Sequence, residues 1–561
     1  MAAPQTPLQP NSVNVTGDNT PGGDSSMDAL ASNKPVKLLD QKHPSYTLNH
    51  DAWLDLSILR EGGVTMKKHA SRMLKMRPRE DTDVFAARVD RFTYQNILGT
   101  ALGWYVSSLF EETPQFFFND KSGKSIDSSN KVGKFYSDFI DNCDGSGKLF
   151  TDFFKHVFSN MLTYGSSWVL TDLRALAEGE EKPSTLEEER SRGLLDPHVV
   201  AYNPLDVINW ECDANGCLQW VVVKISKQEQ GFLSKPHIVD TWYYYDREHY
   251  YVYRDRREVT ASFSTTGLEN RMAEFVSSGK HALFHKKRVP IRQLKLSEGL
   301  WLANSAYLVL IDHLNQDNTL AWALFMSNLA IPVIIGDIDT TNMVQSESGY
   351  LQFPAGTTYQ WSEPDGKSFQ HAAQRLDSLR EEAFRCMYLQ SQGRSMHATP
   401  AMQSGRSKQL EMAPATDMKT GMGGDVRMGM QCVLTDVVDA RRDSESVVPD
   451  VRGFIFEDDM TTEEVFAVSS LLSLRIPSKK FEKYIYKKVA HSWMPDANRE
   501  EQEEIDDEID AGPTIEDREK KEQQERVEMA KAGMATAAKK ASGGPTQPPG
   551  RGGAGPSPNK K

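Results

Sequence analysis

A chain of 561 residues and 63.1 kDa has room for several domains or one elaborate protomer; with 39% hydrophobic and 25% charged residues it is neither disordered throughout nor a polytopic membrane protein. Its formal net charge of −13 and pI of about 5.6 exclude a general polyanion binder, which needs a basic excess to displace counterions from phosphate, so any nucleic-acid contact must be local. Five cysteines (Cys143, Cys212, Cys217, Cys386, Cys432) are too few and too scattered for a disulfide framework and fit a reducing compartment.

From Met1 to Lys34 the chain is rich in Pro, Asn, Ser, Thr and Gly with no apolar run, the composition of a flexible arm and not of a signal peptide. The disordered arm is expected to extend to residue 42. Asp51 to Phe118 reads as helical, with Trp53, Leu56, Leu59, Phe85, Arg88, Phe92, Asn96, Leu98 and Leu102 at near-helical spacing and Pro78 and Pro114 as punctuation. A helix from Thr151 should stop at Tyr164-Gly165, and Ser167 to Thr171 then reads as a strand. Arg174 to Leu195 is charged, an exposed excursion. Val199–Tyr202, Val207–Trp210, Leu218–Ile225 and Thr241–Tyr253 are β-branched and aromatic and are spaced like a small antiparallel sheet. Cys212 and Cys217 flank Asp213-Ala214-Asn215-Gly216, whose Asn-Gly favours a hairpin turn, and no second Cys or His pair stands at zinc spacing.

The second half changes character. Leu300 to Leu329 predicts a long helix with Leu300, Ala303, Tyr307, Leu310, Leu314, Ala321 and Leu324 on or near one stripe. Leu320 to Ile335 is the most hydrophobic stretch, but it falls short of a membrane span and contains Ser327, Asn328 and Pro332, so a buried helix followed by a strand is the better reading. Val333–Gly336 and Tyr350–Phe353 predict strands, and Phe369 to Leu389 a second helix. A polar segment follows from Ser391 to Ser407, then a helix to about Arg442. Arg499 to Lys531 carries 14 acidic against 6 basic side chains, the mark of a solvated helix or a disordered tail, and Ala541 to Lys561 is rich in Gly and Pro.

Catalytic patterns fail one by one. Gly123-Lys124-Ser125 and Gly366-Lys367-Ser368 supply only the second half of a phosphate loop, because Phe118 and Trp361 stand where the first glycine would be. Both read as surface turns. Tyr164-Gly165-Ser166-Ser167-Trp168 lacks the closing glycine of a nucleophile elbow. Asp312 and His313 are adjacent on a helix and cannot orient each other as in a triad, so His313 reads as a polar helix residue. No catalytic residue, metal site or cofactor is expected.

The order of several short motifs carries a resemblance. Trp53 to Gly62 (WLDLSILREG), Phe85-Ala86-Ala87-Arg88-Val89-Asp90-Arg91 with Tyr94, Asn96 and Leu102, Leu162-Thr163-Tyr164-Gly165 before a strand ending at Asp172, and Ile208-Asn209-Trp210 come first. Phe325 to Asn328, Ile331-Pro332-Val333, Gly349 to Leu351, Pro354 to Gly356 and Ser404 to Ser407 follow. Collinear over roughly Asp51 to Trp493, they resemble a divergent branch of the tailed-bacteriophage portal proteins. Asp90 replaces a hydrophobic family position, and the long acidic tail is unusual.

The resemblance implies an α+β portal-type protomer with long stem helices, a small β clip insert, a mixed α/β wing and a helical crown, assembling into a ring. It places the wing, with helices and antiparallel sheet, at 43–299, a stem helix at 300–330, the clip at 331–368 and a second stem helix at 369–390. The tunnel loop falls at 391–408, the tunnel helix, further wing and crown at 409–498, and an acidic then Gly/Pro-rich flexible tail at 499–561. The family forms a ring, usually a homododecamer, at one capsid vertex of the virion. Double-stranded DNA is packaged through it by a separate terminase and exits through it at ejection. The implied partners are further copies of the chain, the terminase large subunit, a head–tail adaptor or tail proteins, and capsid and scaffold proteins, with no membrane; during assembly the implied location is the host cytoplasm. About twelve copies at −13 would total roughly −156, a surface that repels DNA and lets it slide. In the tunnel loop Arg394, His397, Arg406 and Lys408 are the candidates for guiding DNA, against the plain alternative of solvated loop charges. In the clip Tyr359, Trp361, Glu363 and Asp365 are the candidates for docking terminase or an adaptor, against hairpin packing and solubility. Two other classes stay open: a metal-dependent nucleic-acid-processing hydrolase using carboxylates such as Asp312 and Asp317, and a membrane-associated scaffold using Leu320 to Ile335.

Overall fold

A computed structural model describes residues 30–111, 113–124, 126, 130–173, 185, 188, 194, 196–230, 235–258, 271–327, 331–335, 358–362, 366–389, 405–454, 479–493, 499–512, 521 and 523–532. The chain divides into two compact units, Met1–Phe456 and Glu457–Lys561. The first unit is α+β.

It opens with a short strand β1 (Lys34–Pro35) and helices α1 (Val36–Leu39), α2 (Pro44–Glu61), α3 (Gly63–Lys68), α4 (Ala70–Met73), α5 (Thr82–Asp90) and α6 (Ile97–Leu109). Of the arm expected to be disordered to residue 42, Lys34–Pro35 form a strand and Val36–Leu39 a helix, while residues 1–29 lie outside the described residues. The arm's Asp40 carboxylate accepts from Lys224 Nζ and Trp242 Nε1, both at 2.8 Å, which holds it to the sheet. Helix boundaries have local causes. Pro44 occupies the first position of α2 while His43 Nδ1 accepts from the Ser45 amide at 3.1 Å. Asp81 caps α5 by accepting from the Asp83 amide at 2.9 Å. Asn96 serves two helices: Oδ1 accepts from the Gly99 amide at 2.8 Å, capping α6, and Nδ2 donates to the Arg60 carbonyl at 3.0 Å, satisfying the end of α2. Between them Gly62 has φ +64°, and a Cβ there would lie 2.7 Å from Asn96 Nδ2. The helical pattern expected through Phe118 ends earlier, because Pro114 breaks it and Gln115–Asn119 form strand β2, paired antiparallel with Val448–Arg452.

After α7 (Lys131–Asp141), helix α8 (Phe150–Tyr164) runs through the centre of the main core, with Phe150, Phe153, Phe154, Val157, Phe158, Met161 and Leu162 all buried. It stops at Gly165 in the left-handed region (φ +78°), as the sequence predicts. Strand β3 (Ser166–Leu173) follows at once, with β4 (Pro197–Tyr202), β5 (Val207–Cys212), β6 (Leu218–Glu229), β7 (His237–Tyr245), β8 (His249–Glu258), β9 (Met272–Lys280) and β10 (Ile291–Lys295). They form a six-stranded sheet, β1-β9-β8-β7-β6-β5, and a three-stranded sheet, β10-β3-β4, antiparallel throughout. The sheet is larger than the sequence reading. Thr241–Tyr253, read as one strand segment, is the β7–β8 hairpin, turned where Asp246 Oδ1 accepts from the Glu248 and His249 amides at 2.8 and 2.7 Å. The Asp213–Gly216 turn between β5 and β6 is as expected, with the Gly216 amide donating to the Asp213 carbonyl at 2.9 Å.

The last part of the unit holds α9 (Leu302–Ser327), the antiparallel pair β11 (Ile331–Ile335) and β12 (Thr358–Ser362), α10 (Gly366–Cys386), α11 (Gly405–Arg441) and β13 (Val448–Arg452). At 1.5 Å per residue α9 spans about 39 Å and α11 about 55 Å. Tyr350–Phe353, expected as a strand, and nearly all of Arg174–Leu195 lie outside the described residues. No helix of the described residues is long and apolar enough to cross a membrane.

The second unit contains α12 (Lys479–Trp493) and α13 (Arg499–Ala511), a lysine-rich helix beside an acidic one. Lys487 Nζ lies 2.9 Å from Asp510 and 3.6 Å from Asp506. Of the two forms expected for the acidic stretch, residues 499–511 take the solvated helix.

Candidate functional site

The segment from α9 to α11 is the candidate, because it leaves the core and returns to it. The first half of α9 is core: Leu302, Ala303, Ala306, Leu310 and Leu314 are buried, with Tyr307 half-buried. Beyond Leu314 the apolar stripe fails, for Ala321 is exposed and Leu324 is 41% exposed. Polar anchors take over. Asn315 Oδ1 accepts from the Lys75 amide at 2.8 Å while its Nδ2 donates to the Met73 and Ile311 carbonyls at 3.2 and 2.9 Å. One turn on, Asn318 binds both backbone groups of Thr93 at 3.0 Å and donates to the Leu314 carbonyl at 2.9 Å. At the base, Tyr307 Oη donates to Asp55 Oδ2 at 2.7 Å, and Arg72 Nε to Asp55 Oδ1 at 2.6 Å. Burial and the Asp55 carboxylate hold the Tyr307 phenol well above its ordinary pKa.

Helix α10 returns against α9, burying Leu379, Ala383 and Phe384 and bridging outward through Arg375 to Asp312 at 3.5 Å. Its end is fixed. Tyr388 sits at φ +58°, the Leu389 amide donates to the Phe384 carbonyl at 2.9 Å, and buried Tyr105 of α6 donates to the Met387 carbonyl at 2.7 Å. The pair β11–β12 between the two helices sets Pro332 opposite Trp361 and Ile334 opposite Tyr359. Of the docking candidates, Tyr359 and Trp361 thus stand on β12, while Glu363 and Asp365 lie outside the described residues. Of the channel candidates, Arg394 and His397 lie outside the described residues as well. Arg406 and Lys408 stand in the first turn of α11, which begins at Gly405; the loop expected to run to 408 ends earlier because the helix has already started.

Helix α11 is stapled to the body along its second half. Asp425 accepts from the Ser297 amide and hydroxyl, both at 2.7 Å. Gln431 pairs with strand β13, its Oε1 accepting from the Val451 amide at 3.0 Å and its Nε2 donating to the Pro449 carbonyl. Buried Asp436 takes a fork from Arg292, Nε and Nη2 both at 2.8 Å, and a further bond from Arg288 at 2.5 Å. Arg288 also reaches Asp439 at 2.8 Å, as Lys286 does at 3.3 Å. The hydrogen bonds that Arg292 donates to Asp436 outweigh burial and raise the Arg292 pKa further. Sequence reading missed this cluster, since the arginines and the carboxylates they bind are 144 to 151 positions apart.

Two of the motifs that carried the resemblance meet at Gly165. Trp53 Nε1 donates to the Tyr164 carbonyl and Trp301 Nε1 to the Thr163 carbonyl, both at 3.0 Å, so two indoles satisfy carbonyls left open at the end of α8. Arg60 adds a bond to Thr163 Oγ1 at 3.0 Å. A Cβ on Gly165 would lie 2.9 Å from Trp301 Cδ2. These residues are packing, not chemistry.

The residues of the hydrolase alternative do not form a constellation. Asp312 is occupied by Gln316 at 3.1 Å and by Arg375. Burial raises the Asp317 carboxyl and lowers the imidazole of His313, the polar helix residue of the sequence reading, which is 5% exposed. No group of three or more His, Cys, Asp or Glu side chains is arranged to hold a metal ion among the described residues. Gly123 lies in a turn closed by Asp120, whose Oδ1 accepts from the Ser122 amide at 2.8 Å, and Gly366 begins α10.

No family model and no curated protein matches the chain. Among solved structures it is similar to a chain of "Neck of empty GTA particle computed with C6 symmetry", at 10% identity and a TM-score of 0.32, over 75% of this chain and 99% of that one. It is also similar to a chain of "Virion of native gene transfer agent (GTA) particle", at 10% identity and a TM-score of 0.31, over 74% of this chain and 95% of that one. A third is a chain of "Neck of native GTA particle computed with C12 symmetry", at 10% identity and a TM-score of 0.26, over 73% of this chain and 94% of that one.

Proposed function

We propose that this chain is the portal subunit of a tailed phage-like particle, a ring-forming conduit through which double-stranded DNA is packaged and released. The observation that carries the reading is the excursion α9, β11–β12, α10, held to the body by Asn315, Asn318 and Tyr105 and followed by the long anchored helix α11. This is the stem, clip and tunnel-helix order that the collinear motifs imply. A rigidly based pair of helices with a hairpin at its far end suits a tube wall that must bear load during translocation.

In this reading the chain performs no bond chemistry. A ring of chains at −13 each repels DNA in bulk, and Arg394, His397, Arg406 and Lys408 supply sparse positive points beside the channel. Tyr359 and Trp361, with Glu363 and Asp365, present an aromatic and acidic docking surface to terminase or an adaptor. Packaging into particles assembled with the Arg394→Glu, Arg406→Glu chain tests the channel assignment. Slowed or incomplete filling with normal particle assembly is expected; wild-type filling would refute it.

A further inference from the structure

One face of the six-stranded sheet carries a row of aromatic rings. Trp220 of β6, Tyr244 of β7 and Tyr251 of β8 share that face, because Val222 stands opposite Tyr244 and Tyr244 opposite Tyr251 in the ladder. Trp220 stacks beside Tyr244, centroids 6.0 Å apart with the planes 25° from parallel, and Tyr244 lies 5.9 Å from Tyr251. Trp220 and Tyr244 are half-buried. The indole N–H of Trp220 is spent on Glu211 Oε2 at 2.7 Å. The hydroxyls of Tyr244 and Tyr251 are not spent: neither has a hydrogen-bond partner among the described residues, and neither is sealed from solvent. The row thus offers furrows between apolar rings and two free O–H donors.

The same face already holds the start of the described chain. Leu30, Val36 and Leu39 pack into the apolar cluster that contains these rings, and the Tyr253 hydroxyl donates to the Leu30 carbonyl at 2.6 Å. Tyr253 is two residues along β8 from Tyr251, about 7 Å, so the chain preceding Leu30 departs from beside the row. That preceding chain contains Ala3-Pro4-Gln5-Thr6-Pro7-Leu8-Gln9-Pro10, uncharged, with proline at every third position. Three residues make one turn of a polyproline II helix, which sets the prolines along one edge about 9.3 Å apart. Trp220 and Tyr251 stand two strands apart, about 9.6 Å, nearly the same interval. A polyproline II helix makes no internal hydrogen bonds, so its carbonyls are acceptors for the free tyrosine hydroxyls, and its low conformational entropy suits it to aromatic grooves. The 20 residues from Pro10 to Leu30 give a root-mean-square reach of about 25 Å, and such a tether holds the segment at an effective concentration in the millimolar range, so weak docking suffices. We propose that Pro4 to Pro10 docks in polyproline II form on the Trp220, Tyr244 and Tyr251 row of its own sheet. The inference does not depend on the ring reading above.

The test uses the full-length chain with photo-reactive p-benzoylphenylalanine at position 8, mixed half-and-half in normal and ¹⁵N-labelled form and irradiated. The expected product joins the N-terminal peptide to a peptide containing Trp220, Tyr244 or Tyr251 of the same isotope label. Cross-links to other parts of the chain, or none, would overturn the proposal. So would cross-links between opposite labels, which would put the segment on a neighbouring copy. Replacing all three prolines (Pro4→Ala, Pro7→Ala, Pro10→Ala) removes the fixed φ that prepares the helix and is expected to abolish the product. Tyr244→Phe with Tyr251→Phe keeps the rings and removes both donors, and is expected to lower the yield about fivefold or more, the worth of two modest hydrogen bonds. These changes lie at exposed arm positions or leave the ring packing intact, so the fold is preserved in each. Wild-type yield from either variant would overturn the proposal.

Discussion

Asn318 and Thr93 exchange a complete amide pair: Asn318 Oδ1 accepts from the Thr93 amide and Nδ2 donates to the Thr93 carbonyl, each at 3.0 Å. One side chain on the long helix α9 thus replaces the backbone partner that the turn after α5 lacks. It fixes the outer half of the helix to the body where apolar burial has run out.

Removing that clamp takes the partner from two backbone groups at once. Asn318→Ala is expected to cost about 1–3 kcal/mol, the net worth of two hydrogen bonds at about 0.5–1.5 kcal/mol each, because Thr93 is exposed and water can take over its backbone groups. The change should be local, so hydrogen exchange at the Thr93 amide is the sensitive reading. Exchange as slow as in the wild type would show that the clamp bears no load.

The carboxylate of Asp436 bridges Arg288 and Arg292, and Asp439 supplies the second negative charge through Arg288. Asp436→Ala leaves two partly buried guanidinium groups without their shared partner and is expected to destabilise by about 3–5 kcal/mol, measured by denaturant midpoint. Adding Arg292→Met should restore part of that loss, because an apolar pair of similar size escapes the desolvation cost. Equal loss in the single and double variants would contradict this account.

Gly165 combines a positive φ with the close approach of Trp301. Gly165→Ala is expected to cost about 2–4 kcal/mol, from a left-handed residue bearing Cβ and from overpacking. A thermal midpoint of Gly165→Ala within error of the wild type would reject the steric reading.

Two half-buried carboxyls and one buried imidazole give the stability an internal pH opposition. Desolvation pushes the Asp172 and Asp206 carboxyls up to about 6, against the amide hydrogen bonds that lower them. Their contributions are fully present below about 3.8 and are lost as pH rises through 6, because the folded state holds the proton longer. Burial drives His281 the other way, down to about 4. Its Nδ1 accepts from the Leu283 amide at 3.2 Å, which fixes the neutral tautomer with the proton on Nε2, facing the Asp246 carbonyl at 3.1 Å. That contribution is complete above 6.5 and is lost as pH falls through 4. Relative to wild type, Asp172→Asn should gain stability between pH 4 and 7, by about 2 kcal/mol at most after allowance for solvent screening. A difference that stays flat across that range would place the carboxyl in water.

How much of this was legible in the sequence follows the range of the interactions involved. The stop at Tyr164-Gly165, the strand after it and the long helices α9 and α11 were readable, because periodicity, glycine and proline act locally. Strand β9 was missed because Met272 to Lys280 exposes most of its polar residues, and β2 because Phe116 to Phe118 fit a helical face as well as a strand. The β7–β8 turn, Asp246-Arg247-Glu248, holds neither glycine nor proline. The anchors escaped for another reason. Asn318 finds Thr93 at a separation of 225 residues and Arg292 finds Asp436 at 144, distances over which no pattern in the chain reports a contact.

The central claim is the ring, and electron microscopy of the purified full-length chain tests it most directly. End-on views should show a closed ring with a central hole wide enough for duplex DNA, with side views showing a narrowed stem built from α9 and α10. A chain that remains a monomer or a compact dimer at high concentration, and still does so with scaffold protein added, would contradict the account.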